Sequence, residues 1–112
     1  MNDCIFCGIL AGELPADVVA ESETVLAFRD RNPQAPLHVL VIPRTHATNV
    51  AELADLEPET VAELVRVAQR VTADAGYDSY RLVANTGEDA GQSVFHTHLH
   101  VLAGRTQAWP PG

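Results

Sequence analysis

The sequence predicts an α+β domain whose strands form an antiparallel sheet. Short runs rich in β-branched and apolar residues stand on both sides of one long amphipathic helical segment. Strands, then a helix, then further strands is the order typical of an α+β fold. With 112 residues the chain has room for a single domain, residues 1–112, that buries a core of its own.

The first half of the chain predicts one short helix and three strands. Residues 4–11 can form a helix, which Gly12 stops. Three segments have the composition of strands, and the first two are close enough to form a hairpin: VVAES (18–22), TVLAFRD (24–30) and HVLVIP (38–43). The third is almost wholly apolar, so we expect it in the centre of the sheet.

The second half predicts the long helix over residues 58–76. Pro58 suits its first position and Gly76 its C-terminal cap. Apolar residues recur at intervals of three and four and form one stripe: Val61, Leu64, Val65, Ala68, Val71 and Ala75. SYRLVA (79–84) predicts another strand, and the glycine-containing loop 85–92 leads into the last one.

Three of the five histidines stand at alternate positions near the C-terminus, in HTHLHVL (96–102). On a strand, alternate residues share one face, so we expect His96, His98 and His100 on one side and apolar side chains on the core side. Imidazole binds metals, carries protons and attacks phosphorus near neutral pH. Three on one face therefore indicate a chemical site.

The charged residues exclude several classes of function. The net charge is −8, and all seven basic residues are arginine. Without lysine there is no Schiff-base chemistry and no Walker-type phosphate loop. An acidic chain is also unsuited to nucleic-acid backbone, so we expect no nucleic-acid partner. No apolar run approaches a membrane span and MNDCIFCGIL has no basic leader region, so we expect a cytoplasmic protein with no membrane partner.

Two cysteines, Cys4 and Cys7, form a C-x-x-C pair in the N-terminal segment 1–12. In a reducing compartment this spacing is compatible with a zinc half-site, a redox pair or two free thiols. His46 and His96 could complete a Cys2His2 set, and such a closed set would hold structural Zn²⁺. We expect no catalytic metal.

Several motifs together resemble the histidine triad family and, within it, the Hint branch of nucleotide-binding proteins. In chain order, these motifs are AFRDRNPQAPLHVLVIPRTH (27–46), VANTGEDAGQSVFHTHLHVLAGR (83–105) and WPPG (109–112). The resemblance implies a five-stranded antiparallel sheet with one long and one short helix. It also implies a homodimer in which two sheets join, and a purine nucleoside phosphoramidase activity that releases AMP and an amine.

The resemblance assigns roles to the triad and its surroundings. His98 matches the nucleophile that forms a nucleotidyl-imidazole intermediate, with His96 and His100 as the flanking triad members. Ser93 matches a position near the leaving amine, which must be protonated to leave. His38 matches a histidine that supports the triad. The remaining matches are substrate contacts to ribose, phosphate and base: Asp30, Asn85, Gly91, Gln92, Ser93, Val94, His100, Phe6, Phe28 and Trp109.

Some matches have a second interpretation. Phe6, Ile5 and Phe28 suit an apolar base pocket but equally suit core packing. Trp109 lies in the tail 105–112, which in the Hint branch reaches the partner's active site.

Three other functions remain open from the sequence. One is dinucleoside polyphosphate hydrolysis, found in another histidine triad branch. Another is a zinc hydrolase in which all three triad imidazoles bind one metal ion. The third is a nucleotide-sensing dimer without catalysis.

Overall fold

A five-stranded, fully antiparallel sheet forms the framework of the protein, in a computed structural model that describes residues 4–112. The strands, numbered along the chain, are β1 Val18–Glu21, β2 Val25–Arg29, β3 Leu37–Pro43, β4 Tyr80–Val83 and β5 Leu99–Ala103. Their order across the sheet is β1-β2-β3-β5-β4. The expectation of a five-stranded antiparallel sheet is confirmed, and the apolar strand β3 lies at its centre.

Helices cover both faces of the sheet. They are α1 Ile5–Leu10, α2 Val50–Leu56 and α3 Pro58–Asp74, with a 3-10 turn at Glu88–Ala90. From the sequence we expected one long and one short helix, and α2 was therefore missed. A local signal for α2 exists: the Asn49 side chain accepts from the backbone of Glu52, and the Glu52 carboxylate accepts from the backbone of Thr48. Within residues 4–112, no helix has the length and apolar composition needed to span a bilayer.

The alternation of side chains along β2 divides the core into two clusters. Val25 and Ala27 pack with the larger cluster, which includes the buried stripe of α3. Leu26 and Phe28 face the other way and pack with Phe6 of α1. Both faces of β2 and β3 are therefore covered. The short helix α1 lies on the face opposite α3, and that placement sets one wall of the site described below.

The triad segment is only partly a strand. β5 spans Leu99–Ala103, so the expected strand over 96–102 is wrong at its N-terminal end. The backbone before it turns away from the sheet ladder, where Thr97 N–H donates to the carbonyl of Ala47 at 2.7 Å. His96 and His98 therefore lie ahead of the strand, and only His100 is within it, opposite Leu40 of β3.

Replacing Gly104 by alanine should destabilise the protein more than the same change at Gly76. Both glycines have positive φ, +96° and +87°, where an L-residue costs about 1 kcal/mol. A Cβ at Gly104 would also meet Pro36 at 2.8 Å and the Tyr77 hydroxyl at 2.9 Å, whereas one at Gly76 meets nothing within 4 Å. In denaturant titrations, the free energy of unfolding should fall by about 3 kcal/mol for Gly104→Ala and by about 1 kcal/mol for Gly76→Ala. Equal losses would contradict the close packing at Gly104.

Candidate active site and cysteine–histidine cluster

The N-terminus of α1 and the segment before β5 meet in a cluster of two thiols and two imidazoles. The ligand atoms of Cys4, Cys7, His46 and His96 all lie within 4.8 Å of one another. Sγ of Cys4 is 3.3 Å from Nδ1 of His96, and Sγ of Cys7 is 3.3 Å from Nδ1 of His46. Tetrahedral zinc separates its sulfur and nitrogen ligands by about 3.3–3.8 Å. The cluster therefore fits a zinc ion with little rearrangement.

The protonation state of His96 also suits a metal ligand. Its Nε2 lies 2.9 Å from the carbonyl oxygen of Pro43, which can only accept, so Nε2 carries the proton. Nδ1 then has a free lone pair directed at the cysteines. Burial lowers the pKa of His96, which favours this neutral form. A metal-binding histidine commonly donates its other ring N–H in this way.

Beside this cluster is a cleft of about 1110 Å³ with an apolar end and a polar end. Apolar residues of α1 and the loop after it, including Ile5, Phe6, Ile9 and Leu14, form one wall together with Phe28. At the polar end are residues from the loops and from β5: Asp30, Asn85, Gly91, Ser93, Val94, His98 and His100. An apolar wall with a few convergent polar groups is typical of a small-molecule site.

His98 has one ring nitrogen fixed by the backbone. Its Nδ1–H donates to the carbonyl of His96 at 2.8 Å, so Nε2 carries a lone pair. The side chain is 8% exposed and lines the cleft. Phe6 contacts the imidazole edge-on, with ring centroids 5.1 Å apart. The imidazole of His98 is thus held in one orientation by a hydrogen bond and an aromatic contact.

A chain of hydrogen bonds sets the tautomer of His100. The backbone N–H of Gln34 donates to Nδ1 of His38 at 3.0 Å, so His38 carries its proton on Nε2. That N–H donates to Nδ1 of His100 at 2.9 Å, which leaves the proton of His100 on Nε2. His100 therefore offers an N–H donor rather than a lone pair.

Both members of this imidazole pair stay neutral at physiological pH. Burial, with the neighbouring His98 and His38 as smaller causes, lowers the pKa of His100 to about 4, against the opposing effect of Asp30. Burial likewise lowers the pKa of His38, although Asp30 opposes it.

Asp30, the residue after β2, is held next to this pair. Its Oδ1 accepts from the backbone of Asn32 at 2.8 Å, and its Oδ2 is 3.5 Å from Nε2 of His38. Asp30, His38 and His100 also come close enough to resemble a metal site. However, Nδ1 of His38 accepts an N–H, so Nε2 holds the proton and has no lone pair for a metal. The group is therefore a hydrogen-bonded relay.

The three triad imidazoles do not surround one point. The ring of His96 is directed at the cysteines and at Pro43, whereas His98 and His100 line the cleft. This geometry disfavours the zinc-hydrolase alternative, which requires all three as ligands of one metal. The flat strand that would have aligned them is replaced by the turn at Thr97.

Two of the residues expected to contact substrate lie outside the cleft. Gln92 is buried, and its amide bonds to backbone groups of Gly87, Thr48 and Val94, so it braces the loop. Trp109 is 83% exposed and is not among the residues that line the cleft.

Sequence reasoning missed part of the apolar end. Leu14, Pro15 and Ala16 line the cleft, as does Arg31, the residue after Asp30. The position of Arg31 beside Asp30 was the only sequence signal for it. The loop residues had none, because their place depends on how α1 packs on the sheet.

Comparison with known proteins agrees with this fold and site. The family model described as HIT domain matches residues 11–107. The chain is 45% identical to an uncharacterized HIT-like protein of Synechocystis sp., over 99% of this chain and 98% of that protein. It is 46% identical to a 14 kDa zinc-binding protein of Zea mays, over 96% of this chain and 87% of that protein.

Solved structures are similarly close. A HIT family hydrolase from Legionella pneumophila superposes with a TM-score of 0.93 at 44% identity, covering 98% of this chain and 100% of that one. A histidine triad protein from Clostridium difficile superposes at 0.91 with 40% identity, covering 96% of each chain. The fold and the paired imidazoles at the cleft are those of a histidine triad protein. The chain belongs to the HIT family.

Burial of His100 predicts that the protein loses stability in mild acid. The folded state lowers the pKa from 6.5 to about 4, so the unfolded chain binds the proton more tightly. The free energy of unfolding therefore falls as pH drops below 6.5 and continues to fall to about pH 4. Between pH 7 and pH 5, the free energy of unfolding of His100→Gln should fall by about 1–2 kcal/mol less than that of the wild type. Denaturant titrations at both pH values measure this difference. Other titrating groups are common to both proteins, so parallel losses would contradict the lowered pKa.

Proposed function

We propose that the protein hydrolyses the P–N bond of purine nucleoside 5′-phosphoramidates, as the Hint-branch resemblance implies. The observation that carries the proposal is the pair of imidazoles with opposite roles at the polar end of the cleft. Nε2 of His98 has a free lone pair, and Nε2 of His100 has a proton to donate. The similarity to proteins named HIT family hydrolases supports a hydrolase.

The proposed reaction has two steps. Nε2 of His98 attacks the α-phosphorus while the P–N bond breaks, and the amine departs with a proton supplied on the side of Ser93. His98 then carries the nucleotidyl group on a phosphorus–nitrogen bond of its own. Water attacks the same phosphorus, releases AMP or the corresponding purine nucleotide, and returns the electron pair to Nε2. The N–H of His100 hydrogen-bonds a phosphoryl oxygen throughout.

The same cleft accommodates the rest of the nucleotide. Asp30 can accept hydrogen bonds from both ribose hydroxyls, and Phe6 and Phe28 provide apolar surface for the base. Asn85, Ser93 and the backbone of Gly91 line the cleft and would contact phosphoryl oxygens.

The charge of the polar end favours phosphoramidates over dinucleoside polyphosphates. His98 and His100 are the basic side chains there, and burial keeps His100 neutral. Two arginines line the cleft, Arg29 and Arg31, of which Arg29 pairs with Asp17, and the chain has no lysine. A nucleoside phosphoramidate carries a single negative charge, whereas a polyphosphate carries several, more than the cationic side chains of this cleft could pair.

We also propose the homodimer that the resemblance implies. Within the part of the chain that the structure describes, β4 pairs only with β5, so its other edge is open there for a second copy to extend the sheet. Tyr80, on that edge strand, is an exposed aromatic residue. The tail with Trp109 is attached beside β4, where the side chain of Arg81 donates to the carbonyl of Ala108 at 2.9 Å. In such a dimer the tail would extend toward the second chain.

The cysteine–histidine cluster supports a structural zinc. Cys4, Cys7, His46 and His96 would hold the ion with no position left for water, and the ion would stabilise the fold rather than take part in the reaction. The similarity to a zinc-binding protein of Zea mays agrees with this assignment. The ion would tie α1 to the segment that carries the triad.

Replacing His98 by alanine should abolish turnover of a purine nucleoside phosphoramidate with a fluorescent amine. Loss of the nucleophile should lower kcat/KM by about 10³-fold or more. His98 is 8% exposed, so the control is thermal unfolding, which should show a folded variant. Mass spectrometry during turnover should detect a nucleotidyl adduct in the wild type only. Turnover by the variant, or an inactive wild type, would overturn the proposal.

Metal analysis should find one zinc ion per chain in protein purified from zinc-supplemented cells. A strong chelator should then lower the thermal unfolding midpoint, because binding to the folded state alone adds stability. Cys7→Ser should lose both the metal and the response to the chelator. Cobalt substitution adds a spectroscopic check, since thiolate ligands give absorption bands. A protein that takes up neither metal would contradict the assignment.

A further inference from the structure

One cationic side chain at the cleft has no role in the reaction described above. Nη2 of Arg31 donates to the carbonyl of Pro15 at 3.4 Å, and Pro15 and Leu14 both line the cleft. Leu14 packs on α1, because its Cδ1 is 2.9 Å from the position that a Cβ on Gly8 would take. The guanidinium of Arg31 therefore lies at the α1 end of the cleft, next to the apolar wall proposed for the base.

The charges at this end leave Arg31 as the available polar group. Arg29 pairs with Asp17 at 3.3 Å, so the carboxylate of Asp17, which also lines the cleft, is already engaged. Within residues 4–112, no ion pair involves Arg31. A guanidinium has five N–H donors and no acceptor, and one long hydrogen bond to Pro15 leaves most of them free.

We propose that Arg31 makes the cleft selective for guanine over adenine. Guanine presents two adjacent acceptors, O6 and N7, which fit the two-donor fork of a guanidinium. Adenine has an amino group in place of O6, so a donor would face a donor. The inference rests on the proposed function for the direction of the nucleotide, with its phosphate at His98 and its base at the apolar end.

Calorimetric binding of GMP and AMP tests this without requiring turnover. The wild type should bind GMP about fivefold or more tightly than AMP, the lower end of what a bidentate arginine–guanine contact provides. Arg31→Ala should weaken GMP binding to the level of AMP and change AMP binding little. Arg31→Lys keeps the charge without the fork and should lose most of the preference.

A matched control removes the same charge elsewhere. Arg70 is exposed on α3 and does not line the cleft, so Arg70→Ala should bind both nucleotides as the wild type does. Arg31 is itself exposed, so its variants should keep the thermal unfolding midpoint of the wild type.

The outcomes separate this inference from the proposed hydrolase. Equal binding of GMP and AMP by the wild type, or an equal loss for both in Arg31→Ala, would overturn the selectivity. The second result would mean that the guanidinium stacks on any purine. Selective GMP binding without turnover of a guanosine phosphoramidate would support the selectivity and overturn only the hydrolase. Binding of neither nucleotide would overturn both.

Discussion

The cysteine–histidine cluster and the cleft both depend on His96. Its side chain belongs to the cluster, and its backbone contacts His98 at the cleft. Its ring connects the carbonyl of Pro43 to the cysteine–histidine cluster, and its own backbone carbonyl accepts the Nδ1–H of His98. The orientation that exposes Nε2 of His98 therefore rests on the position of the His96 backbone. That position is fixed by a fully buried ring and by the hydrogen bonds that Thr97 makes to Ala47. A change in the cluster would reach the imidazole of His98 through a single residue.

Neutral imidazoles are the second requirement of the site. The hydrogen bonds run in one direction, from the backbone of Gln34 through His38 to His100, and each ring must be neutral to accept on one side and donate on the other. Burial supplies that neutrality by lowering the pKa of both rings. The cost is stability in acid, because a buried imidazole that resists protonation favours the unfolded chain at low pH. The same burial that sets the chemistry thus weakens the fold below neutral pH.

The sequence predicted those features of the fold and the site that depend on local residue patterns. Alternation and helical periodicity located β1 to β4 and α3 within about two residues of their ends, and the spacing of the cysteines and histidines anticipated the cluster. The errors arose where long-range contacts override pattern. Thr97 bonds to Ala47, fifty positions earlier in the chain, and this contact removes His96 and His98 from the strand. α2 was missed although its capping residues were readable, because seven residues give too little periodicity.

The apolar end of the cleft shows why the remaining site residues could not be predicted from the sequence. Leu14 follows α1 in the chain and Arg31 follows β2, and they meet only because α1 packs over the sheet through Phe6. The position of α1 depends in turn on Cys4 and Cys7 at its beginning. The cluster therefore supports the cleft at both ends: through His96 it orients the ring of His98, and through α1 it holds the apolar wall. One cluster thus fixes both the imidazole of His98 and the apolar wall of the cleft, which keeps the two ends of the cleft aligned.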